Sequence, residues 1–172
     1  MSNRILVAYA TAAGSTAGVA EAIGKTLVEN GAQVDVCPVQ EVKDLTPYAA
    51  VIVGSAIQEG EWLPEAIQFV KTNQTTLTQK PFAAFLVCMT MGIKDGRFRD
   101  HVVQWMHPVR ELVRPVSEGY FAGAFDIRKV PSVSDRLKFR VGILTGYWPE
   151  GDHRDWEAIR AWTNDLSIQL HA

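Results

Sequence analysis

The sequence predicts an α/β domain with a doubly wound, mainly parallel sheet, and three observations predict it. Five apolar, strand-like runs alternate with segments whose apolar residues recur at helical spacing. Several of those runs are apolar almost throughout, as strands covered on both faces must be. The connections at 10–16, 54–63 and 88–97 follow three of the runs, at the strand ends where such a sheet binds its ligand.

The first run is Arg4-Ile5-Leu6-Val7-Ala8-Tyr9. Val19, Ala20, Ile23, Leu27 and Val28 then repeat at helical spacing, and Asn30-Gly31 supplies the C-terminal stop. Val34 and Val36 alternate with polar neighbours in a short second strand, and Tyr48 to Gly54 is a buried third. A short helix or loop lies between them. Pro64 suits the first position of a helix that carries Ala66, Ile67, Phe69 and Val70 and runs to about Asn73. Gln74 to Lys80 is a polar connection. Phe82 to Cys88 is the fourth strand, and Phe98 to Val113 a helix bent at Pro108, with Val102, Val103, Met106 and Val109 inward. Glu118 to Phe125 is the fifth strand. Trp156, Ile159, Trp162, Leu166 and Ile168 mark a last helix capped by Asp152 or Asp155.

Composition narrows the function. At 172 residues the chain fits one domain, 1–172, and no apolar run approaches the roughly 18 residues of a membrane span. The N-terminus has no apolar leader before its first strand, so a cytoplasmic protein is expected. A net charge of -2 offers no basic field for nucleic acid. Cys37 and Cys88 lie in strand-like runs without metal-ligand spacing and are expected to be buried free thiols. His101, His107, His153 and His171 are scattered, with no partner suggesting proton transfer, so no catalytic residue is assigned.

The loop Thr11-Ala12-Ala13-Gly14-Ser15-Thr16 carries the chemistry. Small side chains where a strand delivers the chain to a helix let free backbone N–H groups and the positive helix end meet a phosphate, with the three hydroxyls as further donors. The alternative is a tight loop in which Ser15 or Thr16 is an ordinary N-cap. Gly24-Lys25-Thr26 resembles the end of a P-loop, but its spacing from Gly18 is wrong and it lies within the helical pattern. The first strand is not followed by the glycine fingerprint of a dinucleotide site. Strands one and three end in Tyr9-Ala10 and Gly54-Ser55, without the acidic residues a receiver domain needs.

Thr-x-x-Gly-Ser-Thr after an apolar strand resembles the FMN phosphate loop of flavodoxins, with Ala13 where a Thr is common. The resemblance extends through Val51-Ile52-Val53-Gly54-Ser55 to Asp155-Trp156-Glu157-Ala158-Ile159. It implies a flavodoxin-like sheet of order 2-1-3-4-5 with helices on both faces, and a non-covalent FMN. The flavin ring would then lie between Ser55 to Trp62 and Thr90 to Asp95. Ser55, Ala56, Gly60, Trp62, Met89, Thr90, Met91 and Gly92 are the candidate ring contacts. Trp62 is either a stacking platform or an anchor for the next helix, and Gly60 would let a backbone group approach the flavin N5. Met89 either lines the ring or ends the core. Glu59, Glu61 and Lys94 would tune the potential in opposite senses.

The stretch 128–151 reads as an insertion before the last helix. It holds Arg128, Lys129, Arg136, Lys138 and Arg140 against Asp135 and Glu150, and Ser134 is placed to cap a short helix bearing Leu137, Val141 and Leu144 on one face. That helix either meets a membrane surface or partner, or folds back over the sheet edge. Trp148 either closes over the flavin or joins the core. This insertion, with Gly151-Asp152-His153-Arg154-Asp155-Trp156, is most similar to the branch containing flavodoxin-type protoporphyrinogen dehydrogenases. That likeness implies an FMN oxidoreductase passing electrons from a small organic substrate to a quinone or other acceptor; the membrane alternative for the basic helix would place it at the inner face of the membrane. The alternatives are a non-enzymatic carrier serving a redox partner protein, whose usual acidity this chain lacks, and a domain that has lost its cofactor.

Overall fold

Strands with apolar residues on both faces need cover on both sides, and the computed structural model, which describes residues 4–93 and 98–170, meets that need with two helical layers. The strands β1 (Arg4–Ala10), β2 (Gln33–Pro38), β3 (Ala50–Gln58), β4 (Phe82–Cys88) and β5 (Ser117–Ala122) form a parallel sheet of order 2-1-3-4-5. Alternate residues feed two cores. Leu6, Ala8, Val51, Val53, Ala84 and Leu86 face one layer, which is formed by α2 (Pro64–Thr72), α3 (Gln74–Leu77), α4 (Arg99–Gln104) and α5 (His107–Leu112). Ile5, Val7, Ile52, Ala83, Phe85 and Val87 face α1 (Ser15–Glu29) and α7 (Trp156–Leu170) through Val19, Ile23, Leu27, Ile159 and Leu166. Gly54 is empty space for a neighbour: a methyl group there would lie 2.0 Å from the Phe85 ring.

Several boundaries differ from the periodic reading. β3 begins after Tyr48 and continues to Gln58, because Glu61–Trp62 turns back to pair with it antiparallel and extends its hydrogen bonding. Ser55 and Ala56 are therefore strand residues. The expected single helix over 98–113 is two, α4 and α5, since Pro108 has no N–H to continue the first and instead opens the second. Val103 points outward while Val102, Met106 and Val109 are buried. β5 ends at Ala122, and Ala124–Phe125 pairs separately with Gly151–Asp152. Val28, Trp156 and Ile168 lie on exposed sides of their helices. Asp155 caps α7 by accepting from the Ala158 N–H, whereas Asp152 pairs with Arg154. Both cysteines are free, with Cys88 buried and Cys37 half-buried. Among the described residues no helix is long and apolar enough to cross a membrane.

Between the two short strands lies α6 (Val133–Leu144). Its cap is Ser132, whose hydroxyl accepts from the Asp135 N–H; Ser134 only exchanges a hydrogen bond with it. Of the two alternatives, the one in which Leu137, Val141 and Leu144 cover the sheet edge is not met, because all three are exposed. Phe139 and Gly142 make the inward contacts instead. Phe139 meets Phe125 at 5.1 Å and Trp148 at 5.8 Å between ring centroids, and Trp148 lies against Gly142. Trp148 thus belongs to the aromatic cluster of the insertion.

Candidate functional site

In a parallel sheet the register decides which loops meet. Ala10 lies beside Ser55, Ala56 beside Val87, and Cys88 beside Ala122, so the carboxyl ends of β1, β3, β4 and β5 come into line. The loop 11–16, the turn 59–60, the loop 89–92 and Gly123 all emerge on that edge.

The loop from β1 is arranged as an anion site. Gly14 is the N-cap of α1 at φ 93°, a left-handed conformation that costs a residue with a Cβ roughly 1–2 kcal/mol. Its N–H donates to the Thr11 hydroxyl at 2.9 Å, which folds the loop back on itself. Neither Ser15 nor Thr16 is the cap: Gly14 holds that position with no side-chain cap hydrogen bond, and no acidic residue lies in the first turn. Ala12, Ala13 and Gly14 are exposed, and a methyl at Gly14 would meet nothing within 4 Å, so the backbone is open to a bulky anion. Thr16 is 0% exposed, and its hydroxyl has no hydrogen-bond partner. A buried, unanswered hydroxyl costs about 1–3 kcal/mol, and a bound phosphate is the kind of group that would answer it. Donors without a competing carboxylate fit an FMN phosphate.

The ring-side candidates are more committed to the protein. The Ser55 hydroxyl donates to the Ala56 carbonyl at 2.7 Å and accepts from the Leu63 N–H at 3.0 Å, and Ala56 is buried. Glu59 and Gly60, at φ 52° and 83°, form the two-residue turn between β3 and Glu61–Trp62, where positive φ at both positions matches the twist of a hairpin. Gly60 packs under the indole of Trp105, and Glu59 and Glu61 are exposed. Trp62 is 4% exposed within the core, so it anchors α2 and offers no open platform; its indole N–H is left without a partner. Met89, Thr90, Met91 and Gly92 form a half-buried single turn. Burial pushes the Cys88 thiol up to about 11, although the N–H groups of Met91 and Thr90 point at its sulfur and pull the other way. That thiol is protonated and unreactive near neutral pH. Lys94 and Asp95 lie outside the described residues, as does His171.

Two neighbours of the site went unread in the sequence. Gly123 sits between Ser15 and Val87, where a methyl would come within 3.2 Å of both, and its carbonyl accepts from the His153 N–H. Arg154 crosses the first turn of α1 at Gly18, stacks over Trp156 at 4.6 Å and holds Asp152 with two hydrogen bonds. That pairing keeps the Asp152 carboxyl down at about 2. The guanidinium is answered by Asp152, so its part is to pin 151–156 against α1. The run Gly151-Asp152-His153-Arg154 carries no local signal for such a contact, because only the paired strands at 124–125 and 151–152 bring it there. His153 packs on Gly92 and bonds the Glu150 carbonyl, His107 faces Glu111, and His101 is exposed.

A second concavity, about 650 Å³, lies elsewhere, at the amino end of the edge strand β5. Its Arg110, Glu118 and Tyr120 satisfy one another by hydrogen bonds, and it faces none of the loops above.

Known proteins agree with this geometry. A family model described as a flavodoxin domain matches residues 6–141. The chain belongs to that family. Flavodoxin-domain membership implies FMN as the cofactor, and the open loop at Gly14 with the unanswered Thr16 hydroxyl fits its phosphate. Among solved structures, a flavodoxin from the domain Archaea is 18% identical, with a TM-score of 0.54 over 98% of this chain and 99% of that one. The Streptococcus pneumoniae TIGR4 flavodoxin is 16% identical, with a TM-score of 0.59 over 96% and 99%. An oxidoreductase from Corynebacterium diphtheriae is 12% identical, with a TM-score of 0.58 over 99% and 97%. At such identities the likeness is one of fold. No curated protein sequence matches the chain.

Proposed function

We propose that this flavodoxin-domain protein acts, over residues 1–172 as one domain, as an FMN oxidoreductase of the protoporphyrinogen dehydrogenase type. Electrons would pass from a small organic substrate to a quinone or another acceptor. The observation that carries the FMN part is the buried Thr16 hydroxyl without a partner beneath an exposed, left-handed Gly14 cap. In this reading Thr11, Ala12, Ala13, Gly14, Ser15 and Thr16 hold the phosphate through backbone N–H groups and hydroxyls. Gly60, Met89, Thr90, Met91 and Gly92 border the ring, with Ser55, Ala56 and Trp62 beneath them as support. Bound FMN supplies the electron-accepting chemistry, while the protein contributes position, exclusion of water and electrostatics.

The enzyme reading draws on the insertion. Thr145, Gly146 and Tyr147 at the end of α6 share a crevice of about 240 Å³ with Ile93 and Phe98, beside the loop that follows β4. A planar organic substrate entering there would meet apolar and aromatic walls near the expected ring edge. A lipid-soluble acceptor would bring the chain to the inner face of the membrane, with 128–151 as the contact. The second reading, a carrier that only exchanges electrons with redox proteins, is favoured by the family itself. The test is FMN-loaded protein mixed with a porphyrinogen and a soluble quinone analogue. An oxidoreductase oxidises the first and reduces the second catalytically; a carrier shows no turnover, yet its reduced form is reoxidised by redox proteins.

A further inference from the structure

The outer face of α6 is apolar, and none of the described residues covers it. Val133, Leu137, Val141 and Leu144 are 78, 65, 56 and 82% exposed, and Tyr147 just beyond is exposed too. Helical geometry of about 100° per residue puts the four aliphatic side chains within a sector of roughly 80°. Arg136 and Arg140 border that sector on one side and Lys138 on the other. The opposite side of the helix is already satisfied by Phe125 and Trp148. Of the ten large hydrophobic side chains exposed among the described residues, five fall between Val133 and Tyr147, so this is one patch and not scattered exposure.

We propose that this face of α6 docks the protein on an anionic lipid surface, with the aliphatic stripe among the acyl chains and Arg140 and Lys138 at the headgroups. Charge selects that occupant. From 129 to 140 the segment carries Lys129, Arg136, Lys138 and Arg140 against Asp135 alone, in a chain of net charge -2. A second copy seated on the stripe would set cations against cations. Cations on both flanks of an apolar stripe are the pattern of a helix lying in a membrane interface. The docking surface extends the proposed membrane contact and does not depend on flavin.

Not every cation on the segment is available. Arg136 donates to the backbone carbonyls of Val130 and Arg128 and so holds the entry to the helix, while the exposed Lys138 lies 3.5 Å from the Asp135 carboxylate and would exchange that partner for a headgroup. The test therefore leaves Arg136 in place and uses two variants of the full chain. One is Lys138→Ser with Arg140→Ser; the other is Leu137→Ser, Val141→Ser and Leu144→Ser. Co-sedimentation is measured with vesicles of phosphatidylcholine alone or mixed with phosphatidylglycerol, at low and high salt, with and without FMN. The wild type is expected to bind only the mixed vesicles, less so in high salt, and equally with or without FMN. The charge variant should bind about five- to thirty-fold more weakly, from one full contribution at Arg140 and a smaller one at Lys138, which must leave Asp135. The aliphatic variant should lose binding while keeping the wild-type melting temperature and FMN affinity. Wild-type protein that ignores the mixed vesicles, or either variant binding as well as wild type, overturns the proposal. Reduction of a soluble quinone analogue is measured separately, so failure at the vesicle leaves the enzyme reading standing or falling by itself.

Discussion

The helices α1 and α6 both carry apolar residues at helical spacing, yet they use them in opposite ways. In α1 the stripe Val19, Ile23 and Leu27 is fully buried against β1 and β3, and the helix N-terminus is left open. In α6 the stripe Val133, Leu137, Val141 and Leu144 is exposed, and the inward work falls to Phe139 and Gly142. An apolar period therefore identifies a helix and its stripe but not which side the molecule covers. The first helix lies between parallel strands, whose right-handed crossover leaves it only one way to pack. The second sits in an insertion, tied down by a two-strand pair and an aromatic cluster, and no sheet face dictates its rotation.

Matched leucines sharpen that comparison. Leu27→Ala in α1 should cost about 2–5 kcal/mol in chemical denaturation, because it opens a cavity in the core. Leu137→Ala in α6 should change stability by no more than about 0.5 kcal/mol. Equal losses at the two sites would mean that the α6 stripe is covered. Gly142→Val is expected to fall between them, at about 1–3 kcal/mol, since the new side chain would overlap Trp148. Its loss should be read in the tryptophan fluorescence and local hydrogen exchange of 124–151, leaving α1 protected.

A pH-dependent effect, small beside the core cavity, belongs to the latch between the two regions. Asp152 in the folded protein titrates at about 2, below the ordinary carboxylate range, because Arg154 holds its ionised form. A lowered folded pKa gives stability that is present above about pH 4 and fades as pH falls toward 2. Asp152 is about half exposed, so Asp152→Asn should cost less than about 1 kcal/mol at neutral pH. The melting temperatures of wild type and variant should converge on acidification, and a gap as wide at pH 2 as at neutral pH would remove the ion pair from the account.

Much of the fold was legible because a parallel sheet writes itself as apolar runs separated by helical periods. Strand order and the two-faced core followed from that alternation together with the family likeness. Legibility ended wherever pairing over distance set the outcome. Nothing near Ser55 or Trp62 signals that Glu61–Trp62 folds back on β3, and both residues lie buried beside that pairing. Gly123 and Arg154 reach the first helix only through the strand pair at 124–125 and 151–152. The open loop at 11–16 was readable for the opposite reason, since strand, small residues and helix start are contiguous in sequence.

That loop carries the central claim, and a comparative titration of apo-protein with FMN and riboflavin tests it most directly. The two ligands share the ring and differ in the phosphate, so the ratio of their affinities isolates what the backbone N–H groups at 11–16 and the Thr16 hydroxyl contribute. Charge-assisted hydrogen bonds from several donors, at about 1.5–3 kcal/mol each, predict FMN binding at least a hundred-fold tighter than riboflavin. Gly14→Val, strained at φ 93°, should erode that preference with the fold intact. Equal affinity for FMN and riboflavin in a folded protein would contradict the account.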